Sequence, residues 1–257
     1  MKLVYPFEEP PVFYDVGVRY GFESQWASLI QAGHVIGYGF DPDEDHCKTL
    51  SNGNGKVLPY ALGDKVGKED FYVTANLGCC SCKEPNHELL EKYPQTKWSF
   101  KVTEKTEIET TTINQLVDDG EIPPPNFIKI DVQGFEYEVL KGCDKYLDNV
   151  YGIKLETHMQ PMYKDEVTFF GIYDYLVNEK GFMLRQLNQN SYYDGEALEF
   201  DAFFTRGPLT PDDVYLRDTF FSKIYGLEPP KIGMLSNMFR NEKIPGQEFY
   251  KEVGFYQ

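Results

Sequence analysis

Residues 11–17 read Pro-Val-Phe-Tyr-Asp-Val-Gly, a short aromatic and β-branched run that stops on a glycine. Such a run is how a strand buried on both faces is written. The period then changes: Phe22, Trp26, Leu29 and Ile30 recur at helical spacing, and Gly33 closes the helix. A second apolar run over 34–40 ends at Asp41-Pro42. Strand, glycine turn, helix, strand is a βαβ unit, and its crossover is right-handed with parallel strands. The chain is therefore an α/β protein.

The alternation continues. Residues 56–64 make a weaker third strand ending in Ala61-Leu62-Gly63-Asp64, and 70–74 add a short β excursion. From about 75 to 110 the chain is polar and loses its period, which predicts a long loop carrying helical turns and serving as a lid. Thr112 caps a helix that turns Ile113, Leu116 and Val117 inward and ends at Gly120, before the Pro123-Pro124-Pro125 break. A fourth strand at 127–131, a helix starting at Gly134, a fifth strand at 151–156 and a helix at 169–180 follow. Residues 182–187 and 198–205 form a terminal strand pair, and two strands without a helix between them imply an antiparallel partner at one sheet edge. The core domain is expected over 1–207. Residues 208–257 are expected to add one or two helices, packed on the core or on a second subunit as a homo-oligomer contact.

Charge narrows the function. There are 25 Lys and Arg against 41 Asp and Glu, a net charge of −16, and no segregated basic patch, so a nucleic-acid partner is not expected. An apolar fraction of 41% excludes general disorder. No apolar run approaches the roughly 18 residues of a membrane span, so no membrane partner is expected either. An odd count of five cysteines and the lack of any Asn-X-Ser/Thr site favour a reducing, cytoplasmic setting. Cys79, Cys80 and Cys82 with His87 match no paired Cys-X-X-Cys spacing, and a thiol-rich lid is the reading preferred over a metal.

Ligands of open α/β sheets bind past the carboxyl ends of the strands. Those ends carry Asp15 with Gly17 and Gly21, then Asp41, Ala61-Leu62, Asp131 and Glu156-Thr157-His158. A pyrophosphate prefers glycines and few acids. This rim suits a ligand with hydroxyls and a positive charge. Asp41 lies 20 residues beyond Gly21, the spacing at which an acid meets a ribose diol, so adenosine is accounted for. The turn is Gly-X-X-X-Gly and lacks the central glycine of a dinucleotide site, although Gly17 and Gly21 equally close an ordinary strand-to-helix bend.

The string over 127–142, Phe-Ile-Lys-Ile-Asp-Val-Gln-Gly-Phe-Glu-Tyr-Glu-Val-Leu-Lys-Gly, resembles the central signature of the FkbM-type S-adenosylmethionine-dependent methyltransferases, where Lys-Ile-Asp-Val-Glu-Gly-X-Glu is usual. Asp15 to Gly21, Phe40-Asp41-Pro42, Ala61 to Asp64, Thr111-Thr112-Ile113, Leu155-Glu156 and Asp201-Ala202-Phe203-Phe204 are similar to that family in the same order, and the resemblance covers roughly residues 11–206. Gln133 departs from the usual Glu, Val18-Arg19 from Ala-Asn, and Asn114 from Asp. The resemblance implies a class I methyltransferase (Rossmann-like) fold, a three-layer sandwich whose seven-stranded, mostly parallel sheet has its last strand reversed.

It also implies roles. S-adenosyl-L-methionine is the cofactor: Gly17 and Gly21 let the backbone approach its methionine part, Asp15 favours the ammonium or the turn's amides, Asp41 the ribose, and Ala61 with Leu62 the adenine. Asp131 stands nearest the methyl and orients the acceptor or receives its proton; the alternative is a helix cap. Glu136 lies in the first turn of that helix, where the dipole favours a carboxylate whatever its function. His158 is placed as a general base, or as a hydrogen-bonded loop residue. Glu156 shares the same edge; no metal ligand set is assigned, and a divalent ion between Glu156 and Asp131 is the minority alternative. Tyr192-Tyr193 with Asn188 and Asn190 suit a polyhydroxylated acceptor, or form a solvated loop. The leading expectation is O-methylation of a sugar or other small polyol-like acceptor. Its rivals are a nicotinamide-dependent oxidoreductase or epimerase, and a non-catalytic module that keeps the fold.

Overall fold

The computed structural model describes residues 5–50, 55–190, 193–206 and 212–228. Strand β1 (Val12–Val16) is buried at every position. Its alternation sends Phe13 to one face of the sheet and Tyr14 and Val16 to the other, so it seeds two cores. On the first face Phe13 stacks on Trp26 of α1 (Ser24–Gln31) with ring centroids 4.2 Å apart, and Gly33 turns the chain out of that helix at a φ of 75°. Strand β2 (Ile36–Phe40) pairs parallel with β1, and after α2 (Glu44–Leu50) strand β3 (Gly55–Leu58) pairs parallel with β2.

The chain then leaves the main sheet. Strands β4 (Ala61–Leu62), β5 (Gly67–Thr74) and β6 (Val102–Thr111) form a second sheet of order β4-β6-β5, with the short helix α3 (His87–Leu90) in the excursion between β5 and β6. It returns through α4 (Ile113–Asp118), whose first turn is capped by Thr112 Oγ1 accepting the Gln115 N–H at 2.9 Å. Strand β7 (Phe127–Ile130), helix α5 (Glu136–Gly142), strand β8 (Gly152–His158), helix α6 (Phe169–Tyr173) with a π-wound continuation over Asp174–Glu179, and strands β9 (Phe182–Gln189) and β10 (Glu199–Arg206) complete the sheet.

The seven-stranded order is β3-β2-β1-β7-β8-β10-β9, parallel throughout except β10, which runs antiparallel to both neighbours. This is the class I methyltransferase topology that the resemblance implies. The last strand takes the inner place because it is the apolar one. Phe200, Ala202, Phe203 and Phe204 of β10 are buried, whereas β9 carries Arg185, Gln186, Asn188 and Gln189 and sits at the edge, where polar side chains are tolerated.

Two sequence expectations need correction. The 75–110 stretch is a loop with helical turns only to about 101; the rest is the ten-residue strand β6. Its polarity hides the strand, because the β5–β6 ribbon stands largely in water and is laced by cross-strand ion pairs, Lys105 to Asp70 at 2.8 Å and Lys68 to Glu107 at 2.7 Å. The readable signal was β-branching at Val102, Thr103, Thr106, Ile108 and Thr110. The expected third strand is also split: Pro59 lacks an N–H to continue the ladder, so 55–58 stay in the main sheet and 61–62 join the small one.

Helix α7 (Asp212–Ile224) lies on the α1 face of the sheet. Phe221 stacks on Phe127 at 5.8 Å, and a side chain at Gly152 would meet its ring at 2.3 Å. Residues 208–211 and 229–257 of the expected C-terminal extension lie outside the described residues, as does Tyr192. Among the described residues no helix is long and apolar enough to cross a membrane.

Candidate active site

Parallel pairing brings the carboxyl ends of β1, β2, β7 and β8 to one edge. In register, Asp15 stands beside Lys129, and Lys129 beside Lys154. Period-two alternation then puts Asp131 and Glu156 on the same face, two residues further along. The row is ion-paired. Lys129 Nζ lies 3.2 Å from Asp15 Oδ1 and 3.6 Å from Asp131 Oδ2, while Lys154 pairs with Glu23 and, at 3.2 Å, with Asp201. Burial opposes the Lys129 charge, but Asp15 and Asp131 outweigh it and its pKa is raised. Asp15 also accepts the Glu23 N–H at 3.1 Å; burial raises its pKa against the pull of Lys129. It forms the floor rather than a cavity wall.

Over this floor opens a cavity of about 460 Å³, within the usual range of a small-molecule site. Gly17, Asp41, Ala61, Leu62 and Asp131 all line it, so five of the expected site residues converge. Gly17 has a φ of 82°, and a Cβ there would stand 1.9 Å from the Asp131 carbonyl oxygen. The two strand ends approach that closely only because residue 17 has no side chain. Gly21, at φ 92°, turns the chain, a side chain there would meet only Leu50 Cδ2 at 3.9 Å, and it is not part of the wall. Asp41 is buried; its Oδ1 accepts the Asp43 N–H at 2.9 Å and lies 3.6 Å from Arg19 Nη1. Arg19 and Tyr20 also line the cavity; Arg19 was legible only as a departure from the family pattern, and Tyr20 was not singled out. The roof comes from Phe71 and Val73 of β5, Thr106 and Ile108 of β6 and the Leu77–Cys82 segment, so the polar excursion does cover the site. Cys80 and Cys82 face the cavity, and burial pushes the Cys82 thiol up to about 12, which leaves it unreactive at neutral pH.

Asp131 keeps 37% of its side chain exposed. The amides beyond it are bound instead by Glu136, whose Oε1 accepts the Val132 and Gly134 N–H groups at 2.9 and 3.2 Å and whose carboxyl burial pushes up to about 7. Glu136 thus braces the turn that leads into α5, and Asp131 is left facing the cavity. Gln133, at a φ of 59°, joins Asp131 to what lies behind: its Nε2 donates to Asp131 Oδ1 at 2.9 Å and to Glu156 Oε1 at 2.5 Å, and its Oε1 accepts from Tyr163 Oη at 2.8 Å.

Glu156 and His158 do not line the cavity. Burial, with the carboxylates of Asp131 and Glu199, raises the Glu156 pKa well above the ordinary range. His158 is 2% exposed, with Nδ1 3.0 Å from Glu166 Oε1. Burial disfavours its charge, but the Glu166 hydrogen bond and surrounding carboxylates raise its pKa. Tyr193 is buried and donates to Glu199 Oε2 at 3.0 Å, and Asn190 donates to Glu199 Oε1 at 2.9 Å, so these loop residues point inward; Asn188 is exposed. Glu166 and Glu199 escaped the sequence reading: the β8–β10 register sets Glu199 opposite His158, and the segment after β8 brings Glu166 onto the same ring.

A model of the methyltransferase FkbM domain matches residues 15–184, two thirds of the chain. The chain belongs to the FkbM methyltransferase family. The matched span begins at the Asp15 floor and takes in every residue of the cavity wall, its ribbon roof and the Glu156–His158 strand end. One relative, the hexuronic acid methyltransferase AglP of Haloferax volcanii, is 29% identical over 157 residues, 59% of this chain and 57% of that protein; the chain thus spans little more than half of that relative's length. Among solved structures, the 16S rRNA methylase ArmA aligns over 79% of this chain and 77% of its own at a TM-score of 0.33 and 6% identity, too distant to bear on function. Membership of the FkbM family favours methyl transfer over the nicotinamide alternative.

Proposed function

We propose that the chain transfers a methyl group from S-adenosylmethionine to a hydroxyl of a sugar or similar polyol-like acceptor. The observation that carries this reading is one cavity lined together by Asp41, Ala61, Leu62 and Asp131. The residues present fit the donor: Gly17 presents backbone without a side chain to the cavity, Asp41 offers a carboxylate to a ribose diol, and Leu62 and Phe40 are apolar neighbours for a base. When bound, S-adenosylmethionine supplies an electrophilic methyl carried on a sulfonium.

The chain's own residues then align the acceptor and keep water out, which is most of what an in-line displacement requires. Asp131 orients the acceptor hydroxyl and takes its proton, and Lys129 at 3.6 Å steadies the carboxylate. The β5–β6 ribbon and the Leu77–Cys82 segment exclude solvent. A carbohydrate acceptor is supported by the name of the Haloferax relative, and the net charge of −16 disfavours a nucleic acid. In this reading the protein works in the cytoplasm, and residues 208–257 serve the core domain or a second subunit. Incubation with labelled S-adenosylmethionine and a panel of hexuronic acid-bearing and neutral glycans tests the assignment. It expects label in a carbohydrate methyl ether; transfer only to protein or nucleic acid overturns it.

A further inference from the structure

Glu156, His158 and Glu199 place one donor atom each within 4.8 Å of one another at the end of β8 and the start of β10. Two facts set this group apart from an ordinary acidic cluster. The first is His158 Nε2: the ring is 2% exposed, this nitrogen has no hydrogen-bond partner, and it faces Glu156 Oε1 at 3.9 Å and Glu199 Oε2 at 4.0 Å. The second is that every donor is held by a further group. Glu166 takes His158 Nδ1 at 3.0 Å, Gln133 binds Glu156 at 2.5 Å, and Asn190 and Tyr193 bind the two oxygens of Glu199 at 2.9 and 3.0 Å. A carboxylate on the far nitrogen of a histidine, and hydrogen bonds on the ligating carboxylates, are how proteins orient metal ligands.

Charge points the same way. Three carboxylates converge here, and even a protonated His158 leaves negative charge uncompensated in a buried site. Neither a Lys nor an Arg pairs with Glu156, Glu166 or Glu199 among the ion pairs of the described residues. We propose that Glu156, His158 and Glu199 form a binding site for a divalent transition-metal cation of the Mn²⁺ or Zn²⁺ type. One imidazole with two carboxylates is a donor set for those ions, while Mg²⁺ and Ca²⁺ prefer oxygen alone. The 13% and 10% side-chain exposure of Glu156 and Glu199 leaves a way in. The site lies behind Gln133, outside the cavity wall, and does not depend on the methyl-transfer reading.

The test uses the full chain, stripped with chelator and titrated with Mn²⁺, Zn²⁺ or Mg²⁺ alone, with no methyl donor present. The expected result is one equivalent of Mn²⁺ or Zn²⁺ retained after desalting, a raised melting temperature, and much weaker Mg²⁺ binding. Glu199→Gln should abolish retention, and Glu166→Gln should weaken it about 10- to 100-fold. In the unsubstituted protein, Zn²⁺ should shift the His158 ring nitrogen resonances to those of a neutral, Nε2-ligated imidazole, a readout that stands if a variant does not fold. No retained ion, retention that survives Glu199→Gln in a folded variant, or a His158 that stays an imidazolium with Zn²⁺ in excess would each overturn the proposal.

Discussion

Gly17 and Asp131 meet where β1 and β7 end, so closely that a Cβ on Gly17 would lie 1.9 Å from the Asp131 carbonyl oxygen. This contact aligns the glycine turn with the carboxylate that faces the cavity. Gly17→Ala should therefore separate the two strand ends, costing more than about 2 kcal/mol and abolishing donor binding. Gly21→Ala meets only Leu50 Cδ2 at 3.9 Å and bears just the cost of its positive φ, about 1–2 kcal/mol. Urea denaturation midpoints of the two variants check the order; an equal loss would remove the special role of Gly17.

Asp131→Asn keeps the shape of the side chain and the Gln133 neighbourhood but removes the proton acceptor. Turnover should fall by about 10²- to 10⁴-fold with little change in donor affinity. Single-turnover rates set beside a donor titration separate the two quantities, and unchanged turnover would reduce Asp131 to a wall residue.

Gln133→Glu restores the residue usual in the family but replaces the amide that donates to Asp131 and Glu156 with a third acceptor. A loss of about 1–3 kcal/mol in unfolding free energy is expected by denaturant titration. A neutral or stabilising effect would mean that the amide's two hydrogen bonds are not what holds this junction.

Much of this architecture is legible in the sequence. The strands buried on both faces announce themselves by apolar runs, and the Thr112 cap, the Gly33 and Gly181 stops and the β9–β10 pair fall where local chemistry puts them. The ribbon strand β6 does not, because its side chains answer to water and to cross-strand ion pairs rather than to a core. Within the site, Gly17, Asp41 and Asp131 were readable because each directly follows a strand, and Ala61 and Leu62 because they close the third apolar run. Arg19, Glu166 and Glu199 were not, since their places depend on which loop folds over which strand end.

Asp218 of α7 is wholly buried, and burial pushes its carboxyl up to about 9 against the pull of Arg185 and Arg206. The folded chain thus keeps a proton that the unfolded chain releases near pH 4, so this stabilisation is complete below that pH and is lost as pH rises toward 9. Between pH 5 and 8 the loss reaches up to about 4 kcal/mol. Asp218→Asn should flatten the decline and stabilise the protein at pH 8, as measured by denaturation at a series of pH values. An unchanged slope would show that the carboxyl titrates normally.

The donor assignment is tested most directly by calorimetric titration of the purified protein with S-adenosylmethionine, with NAD as control, repeated on Asp41→Ala. Saturable binding of S-adenosylmethionine alone is predicted, weakened about 10- to 100-fold by loss of the carboxylate that meets the ribose. Binding of NAD instead, of neither ligand, or of S-adenosylmethionine with undiminished affinity in Asp41→Ala would contradict it.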